Sequence, residues 1–317
     1  MKPAIVFIGF MGAGKSTALE AARRAGLETT EIDTVMEREF GVPIAEAFER
    51  EGEEAFRARE AELVGALLEQ ADGGAIALGG GSVLSPRVRD ALSRHTVAWL
   101  QVDPKEAWRR IANSDRPLAT SAADVSRLLD ERLPLYEQLA DAVVPMGHRS
   151  IVARALPAIQ ALADLPAGTK LLWAVNDSGE YPILVGRGLL DADWWPLESR
   201  RFCIGDTTTM ALYGDRLEPL SGRVQVAPGE TAKAMDEAAK VLEALAEGEM
   251  TREDHVVALG GGVVGDLAGF CAHLYQRGVP VVQVPTTLVA QVDSAYGGKT
   301  GVDLPQGKNY AGAFHLP

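Results

Sequence analysis

A glycine-rich stretch near the start of the chain has the residue types and the spacing of a nucleotide-phosphate loop. Residues 9–16 read Gly-Phe-Met-Gly-Ala-Gly-Lys-Ser, fit the pattern Gly-x-x-x-x-Gly-Lys-[Ser/Thr] and directly follow the apolar run 5–8. This context predicts a buried parallel strand, a turn whose backbone N–H groups point inward, and a helix whose positive N-terminal end faces the same point. We expect Lys15 to reach the β- and γ-phosphates of a nucleotide and Ser16 to bind Mg²⁺, as in a nucleotide-dependent phosphotransferase or hydrolase. The loop residues expected to contact the nucleotide are Gly12, Ala13, Gly14, Lys15, Ser16 and Thr17.

Composition and charge favour a two-domain enzyme over a nucleic-acid-binding or membrane protein. With 317 residues, of which 47% are hydrophobic, the chain is long enough for two packed α/β domains. The net charge of −13 argues against a nucleic-acid partner, because phosphate backbones require a basic face. No apolar segment reaches the ~20 residues that span a membrane. Cys203 and Cys271 are too few and too far apart for a disulfide framework, which favours a reduced, cytoplasmic location.

Further candidate residues stand where parallel strands of the first half should end. A second strand is expected to end with the acidic Glu31 and Asp33, at the sheet edge where open α/β sheets bind their ligands. The strand predicted over 75–78 ends in the three glycines 79–81, which allow a ligand or another backbone to come close. The carboxyl edge of the predicted sheet therefore carries both carboxylates and open backbone.

Basic residues are expected on helices and on one loop of the same half. The segment 35–70 is predicted to be rich in helix with breaks at Gly41 and Gly52, and further helices are predicted over 104–111 and 125–140. The charged run 53–60 is, from its spacing alone, more typical of a solvated helix face than of a site. The loop 113–118 carries Arg116, a cation on a flexible segment that can swing toward a γ-phosphate and exclude water.

Together these motifs resemble shikimate kinase along nearly the whole first domain, residues 1–163. The matching pieces are residues 9–17, Glu31-Ile-Asp33, Gly52-Glu53 with Phe56-Arg57, Gly79-Gly80-Gly81, Arg116-Pro117-Leu118 and Arg132-Leu-Pro-Leu-Tyr136. The resemblance implies a P-loop, nucleoside-monophosphate-kinase-like α/β domain with a parallel sheet. It also implies transfer of the γ-phosphate of ATP to the 3-hydroxyl of shikimate, with Mg²⁺ as the metal cofactor.

The resemblance implies a role for single residues of the first domain. Asp33 would hold the reacting hydroxyl and could accept its proton. Arg57 and Arg132 would clamp the substrate carboxylate, since a planar guanidinium makes two parallel hydrogen bonds, and the glycines 79–81 would close against the ring. Arg116 would lie on the family's lid and supply charge to the γ-phosphate.

Two further positions carry open alternatives. Arg109, seven residues before Arg116, matches the position that packs on adenine in the family, and a solvated helix arginine is its alternative. Glu31 stands where the family commonly has an aspartate near the Mg²⁺. Since Mg²⁺ often keeps its waters and is contacted indirectly, we expect Glu31 to serve beside Ser16, directly or through a water molecule.

The second half begins after a predicted terminal helix, 151–162. Residues 164–169 have the Pro and Gly content of a linker, so a second domain is expected over 170–317. Strands are predicted at 171–175, 183–186, 201–205, 223–226 and 256–259, and a long helix at 230–247. The glycine cluster 260–269 that follows the last of these strands is a weak signal alone, because a tight turn would also explain it.

The run after this cluster is more specific and resembles 3-dehydroquinate synthase. Its pieces are Arg277-Gly278, Val284-Pro285-Thr286-Thr287, Gln291-Val292-Asp293-Ser294, Gly297 to Gly301, and Lys308-Asn309. The resemblance implies a Rossmann-like α/β NAD-binding domain of an enzyme that uses NAD and Zn²⁺. That enzyme cyclises 3-deoxy-arabino-heptulosonate 7-phosphate to 3-dehydroquinate with loss of phosphate.

The same resemblance implies two sets of binding residues. The NAD-binding set is Asp206, Glu230, Lys233, Gly261, Gly262, Val263, Asp266, Thr286 and Thr287. The substrate-facing set is Arg277, Asp293, Lys299, Lys308 and Asn309. Its cations suit the phosphate and the carboxylate of the substrate.

The sequence stops in the middle of the synthase pattern, before the C-terminal helical domain that carries the family's zinc ligands. A catalytic zinc needs three protein ligands, and His255, His273 and His315 match none of the family's zinc positions. We therefore expect a bifunctional enzyme with a complete kinase and only the NAD-binding part of the synthase, inactive as a synthase in this form. The resemblance suggests a homodimer through the synthase half of the intact protein.

Two alternatives stay open at this point. The kinase could act on another hydroxy acid or a sugar acid, because two arginines indicate a carboxylate without specifying shikimate. The second half could instead be a binding module that holds NAD without turnover and acts as a scaffold or sensor for the kinase.

Overall fold

The computed structural model describes residues 2–112, 121–148 and 150–317. The predicted lid residue Arg116 and its loop 113–118 lie outside the described residues. The chain divides into two compact units. The first runs to Val175 and includes Pro182–Leu189, and the second consists of Asn176–Tyr181 and Leu190–Pro317.

The first unit is built around a sheet whose strands alternate with helices. Its leading elements are β1 (Ile5–Ile8), α1 (Lys15–Arg24), β2 (Thr29–Glu31), α2 (Ile32–Phe40), α3 (Ile44–Glu51), α4 (Glu53–Gln70), β3 (Ala75–Ala77) and α5 (Pro86–Leu92). They are followed by β4 (Thr96–Gln101), α6 (Pro104–Ile111), α7 (Ala122–Leu139), β5 (Ala142–Pro145), α8 (Ile151–Ala161), β6 (Lys170–Asn176) and β7 (Gly179–Val185). Within the described residues, the strand order is β2-β3-β1-β4-β5-β6-β7.

Strand β1 lies at the centre of this sheet and sets the position of the phosphate loop. Its residue Ile5 pairs in parallel with Ala75 of β3 on one side and with Thr96 of β4 on the other. All four residues of β1 are buried, as expected for a parallel strand covered by helices on both faces. The chain leaves β1 toward β2 on one side of the sheet and later crosses from β3 to β4 on the other side, so the ligand crevice is expected at the carboxyl end of β1.

Strands β6 and β7 extend the first sheet past the boundary that composition suggested. Strand β6 pairs in parallel with β5, with Leu171 opposite Ala142, and Leu171 is fully buried in the first core. The segment 164–169, interpreted from its composition as a linker, lies inside the first unit. Pairing with β6 satisfies the backbone groups that β5 would otherwise leave open at a sheet edge.

The second unit contains a parallel sheet and an antiparallel strand pair. Its elements are β8 (Arg201–Asp206), α9 (Thr207–Tyr213), β9 (Gly222–Val226), α10 (Met235–Glu247), β10 (His255–Gly260), α11 (Gly262–Leu274), β11 (Val281–Pro285), β12 (Lys299–Leu304) and β13 (Gly307–Phe314). The parallel sheet has the order β11-β10-β8-β9, and β12 pairs with β13. This alternation of strands and helices confirms the predicted Rossmann-like α/β class.

Two predicted element boundaries shift in the structure. The second strand ends at Glu31, and Asp33 lies in the first turn of α2, where a carboxylate complements the helix dipole. The helix predicted over 230–247 begins only at Met235. The backbone of Lys233 is held outside that helix, because its carbonyl oxygen accepts a hydrogen bond from the Asp303 N–H at 2.8 Å.

The apolar cores enclose both cysteines of the second unit. Burial raises the pKa of the Cys203 and Cys271 thiols to about 12, so both stay protonated near neutral pH. In the parts of the chain that the structure describes, no helix has the length and apolar character needed to traverse a lipid bilayer.

Strand β6 offers a matched test of its place in the first core. We expect Leu171→Ala to lower the free energy of unfolding of the first unit by about 3 kcal/mol, because a fully buried side chain leaves a cavity. Leu172 is 43% exposed, so Leu172→Ala should cost less than about 1 kcal/mol. Urea denaturation followed by circular dichroism measures both changes. Equal, small losses would contradict the assignment of β6 to this core.

A buried histidine joins the segment before β8 to strand β10 in the second unit. Trp195 donates its indole N–H to His255 Nε2 at 2.9 Å, and Ser199 Oγ lies 2.8 Å from His255 Nδ1. Since an indole only donates, the proton of the neutral imidazole must be on Nδ1. Burial lowers the pKa of His255 to about 4, and the charge of Arg201 adds to the shift.

This histidine predicts a pH dependence of stability. Below pH 6.5 the unfolded chain binds a proton that the native imidazole rejects until about pH 4, so stability falls as the pH drops through that window and is constant above it. We expect the second unit to be about 2 kcal/mol less stable at pH 5 than at pH 7 from this group. The matched variant is His255→Gln, in which the contribution of this histidine to the difference in unfolding free energy between pH 5 and pH 7 should disappear. An unchanged difference between the two pH values in that variant would exclude His255 as the cause.

Candidate functional site

The phosphate loop of the first unit has the geometry that its sequence predicts. Helix α1 begins at Lys15, and the preceding Gly14 has left-handed backbone angles and provides no side-chain cap for the first turn. The N–H groups at this helix end are therefore open to an anion. Lys15 Nζ donates to the carbonyl oxygens of Gly9 and Phe10 at 2.9 and 3.0 Å, which places its charge over the loop.

A cavity of about 780 Å³ opens beside this loop and collects nearly all the predicted kinase residues that the structure describes. The predicted residues that line it are Gly12, Gly14, Lys15, Ser16, Thr17, Glu31, Asp33, Arg57, Gly79, Gly80, Gly81, Arg109 and Arg132. Ala13 is fully buried behind the loop and does not line the cavity. The sheet edge thus brings together residues that stand more than a hundred positions apart in the sequence.

A charged cluster of partly and fully buried side chains forms one end of the cavity. Glu60 is 4% exposed, accepts a hydrogen bond from Ser82 Oγ at 2.7 Å and pairs with Arg57 at 2.5 Å. Arg57 lines the cavity, while its Nε is buried without a hydrogen-bond partner and lies 3.9 Å from Glu53 Oε1. The solvated-face interpretation of run 53–60 is wrong for these two residues. Their spacing of three positions on one helix face was the available signal.

The position of Arg57 leaves no room for a side chain at residue 81. A Cβ atom at position 81 would lie 2.5 Å from Arg57 Nη1, closer than nonbonded atoms can approach. Any larger residue would push the guanidinium away from Glu60. The glycine strip, residues 79–81, therefore fixes the position of the Arg57 guanidinium and also leaves space for a ligand.

Helix α7 fixes the middle of the same glycine strip with two side chains four positions apart. Arg132 is 3% exposed and donates to the Gly80 carbonyl oxygen at 3.1 Å, and Tyr136 donates its hydroxyl to the same oxygen at 2.7 Å. Burial raises the pKa of Tyr136 to about 12, so its hydroxyl remains a donor at neutral pH. Gly80 is thereby held between two donors, with the charge of Arg132 next to the cavity.

Asp33 and Glu31 face the cavity from the β2 end of the sheet. A Cβ atom on Gly79 would lie 3.4 Å from Asp33 Oδ1, which places this carboxylate against the glycine strip. Glu31 accepts a hydrogen bond from Ser16 Oγ at 2.6 Å. A hydroxyl and a carboxylate beside a phosphate loop are suitable partners for a hydrated Mg²⁺ ion, so these two residues fit the implied metal.

Helix α6 contributes the opposite end of the cavity. Glu106 accepts hydrogen bonds from Arg109 Nε and Nη2 at 2.8 and 2.7 Å and from Arg110 Nε at 2.8 Å. The hydrogen bond from Arg109 is the main reason why the pKa of Glu106 falls to about 2. Sequence reasoning missed Glu106 and Arg110, although the spacing Glu-x-x-Arg-Arg on a helix was a signal for ion pairs.

The second unit places Asp206, Gly261 and Thr286 at or directly after the carboxyl ends of β8, β10 and β11. Helix α11 begins at Gly262 directly after β10, and Gly261 before it provides no side-chain cap. Thr286 N donates to the Gly260 carbonyl oxygen at 2.9 Å, which places Thr286 and Thr287 beside this turn. Open N–H groups at a helix start after a parallel strand fit a dinucleotide pyrophosphate.

Ion pairs surround this helix start. Lys233 is 5% exposed and pairs with Asp266 on the first turns of α11, where burial raises the pKa of Asp266 against the opposing effect of Lys233. Glu230 accepts a hydrogen bond from Lys308 at 2.8 Å.

The other predicted residues of this unit occupy different places. Asp206 caps helix α9 by accepting hydrogen bonds from Thr208 N and Thr209 N at 2.8 and 2.9 Å. Asn309 N donates to Asp303 Oδ1 at 2.7 Å. The exposed Asp293 and Lys299 lie in the helical turn Ala290–Ser294 and at the start of β12, and Val263 lies in the first turn of α11.

Arg277, which the resemblance assigns to the substrate-facing set, lies apart from the start of α11. It follows the carboxyl end of α11, a helix of 13 residues that spans about 20 Å at 1.5 Å per residue. The glycine turn, residues 260–262, lies at the opposite end of this helix. Arg277 therefore does not reach the candidate NAD site within its own unit.

The described residues do not fit a catalytic zinc ion. Across 2–112, 121–148 and 150–317, no group of three or more His, Cys, Asp or Glu side chains is placed to hold a metal. His273 and His315 face each other at a ring distance of 5.5 Å, and His315 Nε2 lies 2.8 Å from the Val279 carbonyl oxygen. A zinc site requires a further ligand there, so no chemical step can be assigned to zinc on these residues.

Comparison with known families gives two matches on separate parts of the chain. The family model for shikimate kinase matches residues 11–162, which contain most of the phosphate loop and the cavity-lining Arg57 and Arg132. The family model for the N-terminal part of 3-dehydroquinate synthase matches residues 223–317, which contain the glycine turn.

Curated relatives match the chain over somewhat less than half of its length. The 3-dehydroquinate synthase of Halorhodospira halophila is 47% identical over 151 residues, which are 46% of this chain and 43% of that protein. The 3-dehydroquinate synthase of Symbiobacterium thermophilum is 49% identical over 150 residues, which are 43% of this chain and 42% of that protein. The chain thus spans less than half the length of these relatives.

Two solved structures are similar to different parts of the chain. Shikimate kinase from Acinetobacter baumannii in complex with shikimate is 29% identical, covers 51% of this chain and 95% of its own, and gives a TM-score of 0.48. The 2-epi-5-epi-valiolone synthase from Streptomyces hygroscopicus subsp. jinggangensis with NAD⁺ and Zn²⁺ bound is 34% identical. It covers 38% of this chain and 36% of its own, with a TM-score of 0.36.

Proposed function

We propose that the first unit phosphorylates the 3-hydroxyl of shikimate with ATP, because residues 11–162 match the family model of shikimate kinase, and that the match of residues 223–317 to the N-terminal part of 3-dehydroquinate synthase marks a second activity. One observation carries this proposal. The phosphate loop, Asp33 and the arginines Arg57 and Arg132 line one cavity of about 780 Å³. This arrangement suits a polyphosphate at one end and a hydroxy acid at the other.

The reaction depends on alignment and charge, since phosphoryl transfer needs little covalent participation by the protein. The loop N–H groups and Lys15 hold the polyphosphate of ATP. Asp33 accepts a hydrogen bond from the attacking hydroxyl and takes its proton as the oxygen bonds to the γ-phosphorus and the bond to ADP breaks. Mg²⁺, when bound, neutralises charge on the phosphates, and Ser16 and Glu31 would hold it. Arg116, outside the described residues, is proposed as the lid cation.

The substrate end favours a carboxylate. The half-buried guanidinium of Arg57 lines the cavity, and Arg132 adds a buried cation beside Gly80. An acceptor with two oxygens would satisfy such donors with charge-assisted hydrogen bonds. Another hydroxy acid of similar shape is the alternative substrate, and the same donors would hold its carboxylate.

The first experiment measures ATP turnover by the full chain with Mg²⁺, with and without shikimate. We expect ADP release that depends on shikimate and that falls about 10³-fold in Lys15→Ala, because a charged donor to the transferring phosphate is lost. Lys105→Ala, which removes an exposed lysine outside the cavity lining, is the matched control and should keep the wild-type rate. Turnover that ignores shikimate or requires another acid would remove the substrate assignment.

For the second unit we propose NAD binding at the glycine turn after β10, as part of a 3-dehydroquinate synthase. Support comes from the uncapped start of α11 and from Glu230, Lys233 and Asp266 around it. A homodimer through this half and a cytoplasmic location, in which Cys203 and Cys271 stay reduced, complete the proposal. The alternative is an NAD-binding module that regulates the kinase without synthase turnover.

Titration of the full chain with NAD tests this site. We expect saturable binding that weakens about tenfold in Glu230→Gln, because a carboxylate that accepts hydrogen bonds from ribose hydroxyls loses its charge. Glu243→Gln on the exposed face of α10 is the matched control and should leave the affinity unchanged. Calorimetry gives both values, and equal affinities in the two variants would contradict the role of Glu230. A kinase rate that changes as NAD saturates the protein would favour the regulatory alternative.

A further inference from the structure

Arg110 uses all three nitrogens of its guanidinium within the first unit. Its Nη1 donates to the Gly12 carbonyl oxygen at 2.9 Å, its Nη2 donates to the Met146 carbonyl oxygen at 3.2 Å, and its Nε donates to Glu106 at 2.8 Å. These partners lie on the phosphate loop, after β5 and on α6. One side chain therefore connects three separate segments at the nucleotide end of the cavity.

The bond to Gly12 completes the fixing of one peptide group of the loop. The carbonyl oxygen of Gly12 and the N–H of Ala13 belong to the same planar peptide and point in opposite directions. The Ala13 N–H donates to the Phe10 carbonyl oxygen at 3.1 Å, and the Gly12 carbonyl oxygen accepts from Arg110. With both ends held, this peptide cannot rotate, and the N–H groups that follow it toward α1 keep their inward direction.

Helix α6 also packs closely against the loop at this position. Gly12 has a left-handed φ of 76°, and a Cβ atom there would lie 3.1 Å from both the Ala107 carbonyl oxygen and Ile111 Cγ2. The hydrogen bond from Arg110 thus reaches the loop at the point where the helix backbone touches it. A displaced α6 would carry the loop with it.

The neighbouring arginine makes a different set of contacts. Arg109 donates to Glu106 from Nε and Nη2, and its side chain is 77% exposed, compared with 29% for Arg110. Glu106 therefore holds Arg109 at the surface and Arg110 against the loop. Within the described residues, Arg110 bonds directly to the phosphate-loop backbone and Arg109 does not.

We propose that Arg110 is a positioning residue that holds the phosphate loop in its polyphosphate-binding conformation through the Gly12 and Met146 carbonyl oxygens. It acts on the phosphate end of any bound nucleotide and not through the nucleobase. The inference deepens the proposed kinase function and rests on its nucleotide site, but not on the identity of the acid substrate.

Binding measurements on the full chain with Mg²⁺ separate these two modes of action. The variants are Arg110→Met and, as a control, Arg127→Met, which removes an exposed arginine that pairs with Glu131 one helical turn away. The ligands are ATP and inorganic tripolyphosphate, which has neither base nor ribose. We expect Arg110→Met to weaken both ligands by the same factor, about tenfold, while Arg127→Met changes neither.

Two results would overturn the proposal. Unchanged affinity for both ligands means that Arg110 does not position the loop, and weaker binding of ATP alone makes Arg110 a base contact. In turnover assays the KM for ATP should rise while the KM for the acid stays within about twofold, which a general loss of folding would not produce. If Arg110→Met does not fold, Arg110→Lys provides the same comparison. Absence of shikimate turnover in the wild type would reject the kinase substrate without affecting the polyphosphate comparison.

Discussion

Both units depend on the same physical constraint, the open backbone N–H groups at the start of a helix that follows a buried parallel strand. An α-helix leaves the N–H groups of its first turn without helical partners, and they must find acceptors elsewhere. In the first unit this helix start is α1 after β1, and in the second it is α11 after β10, each preceded by a glycine that provides no side-chain cap. An anion with several oxygens satisfies these groups and the helix dipole together. The remaining parts of each unit decide which anion enters and what happens to it.

The net charge of the chain makes the local placement of cations decisive. At −13 the whole protein repels anions, so an anionic substrate must be held by cations that are themselves fixed. Arg57 is fixed by the buried Glu60, which Ser82 holds in turn, and Arg132 is fixed by the Gly80 carbonyl oxygen. A guanidinium that cannot turn toward solvent loses little conformational entropy when a carboxylate binds. The cost is a buried Arg57 Nε that the protein alone leaves unsatisfied.

Local sequence patterns predicted most elements of both sheets, because strand ends, glycine turns and helix caps are short-range signals. The loop, the glycine strip and the strand–turn–helix of the second unit are such signals, and the family matches confirm the resemblances built on them. Contacts between distant segments were not predictable in this way. Nothing in residues 170–175 indicates that they pair with β5, and nothing near Lys233 indicates that Asp303 holds its backbone outside a helix. The spacing of Glu60 and Arg110 on their helices indicated local ion pairs, but their contacts with Ser82, Gly12 and Met146 join other elements and were not predictable.

The two candidate sites draw on separate stretches of the chain. The described lining of the first cavity comes from residues 11–148, and the residues brought together in the second unit lie between Asp206 and Asn309. Each site is therefore built by its own sheet, with its own helix start and its own charged side chains. Because the two units belong to one chain, they are synthesised in equal amounts. This does not by itself mean that an intermediate passes directly from one site to the other. The chemistry of each unit should then respond to substitutions within that unit and not to substitutions in the other.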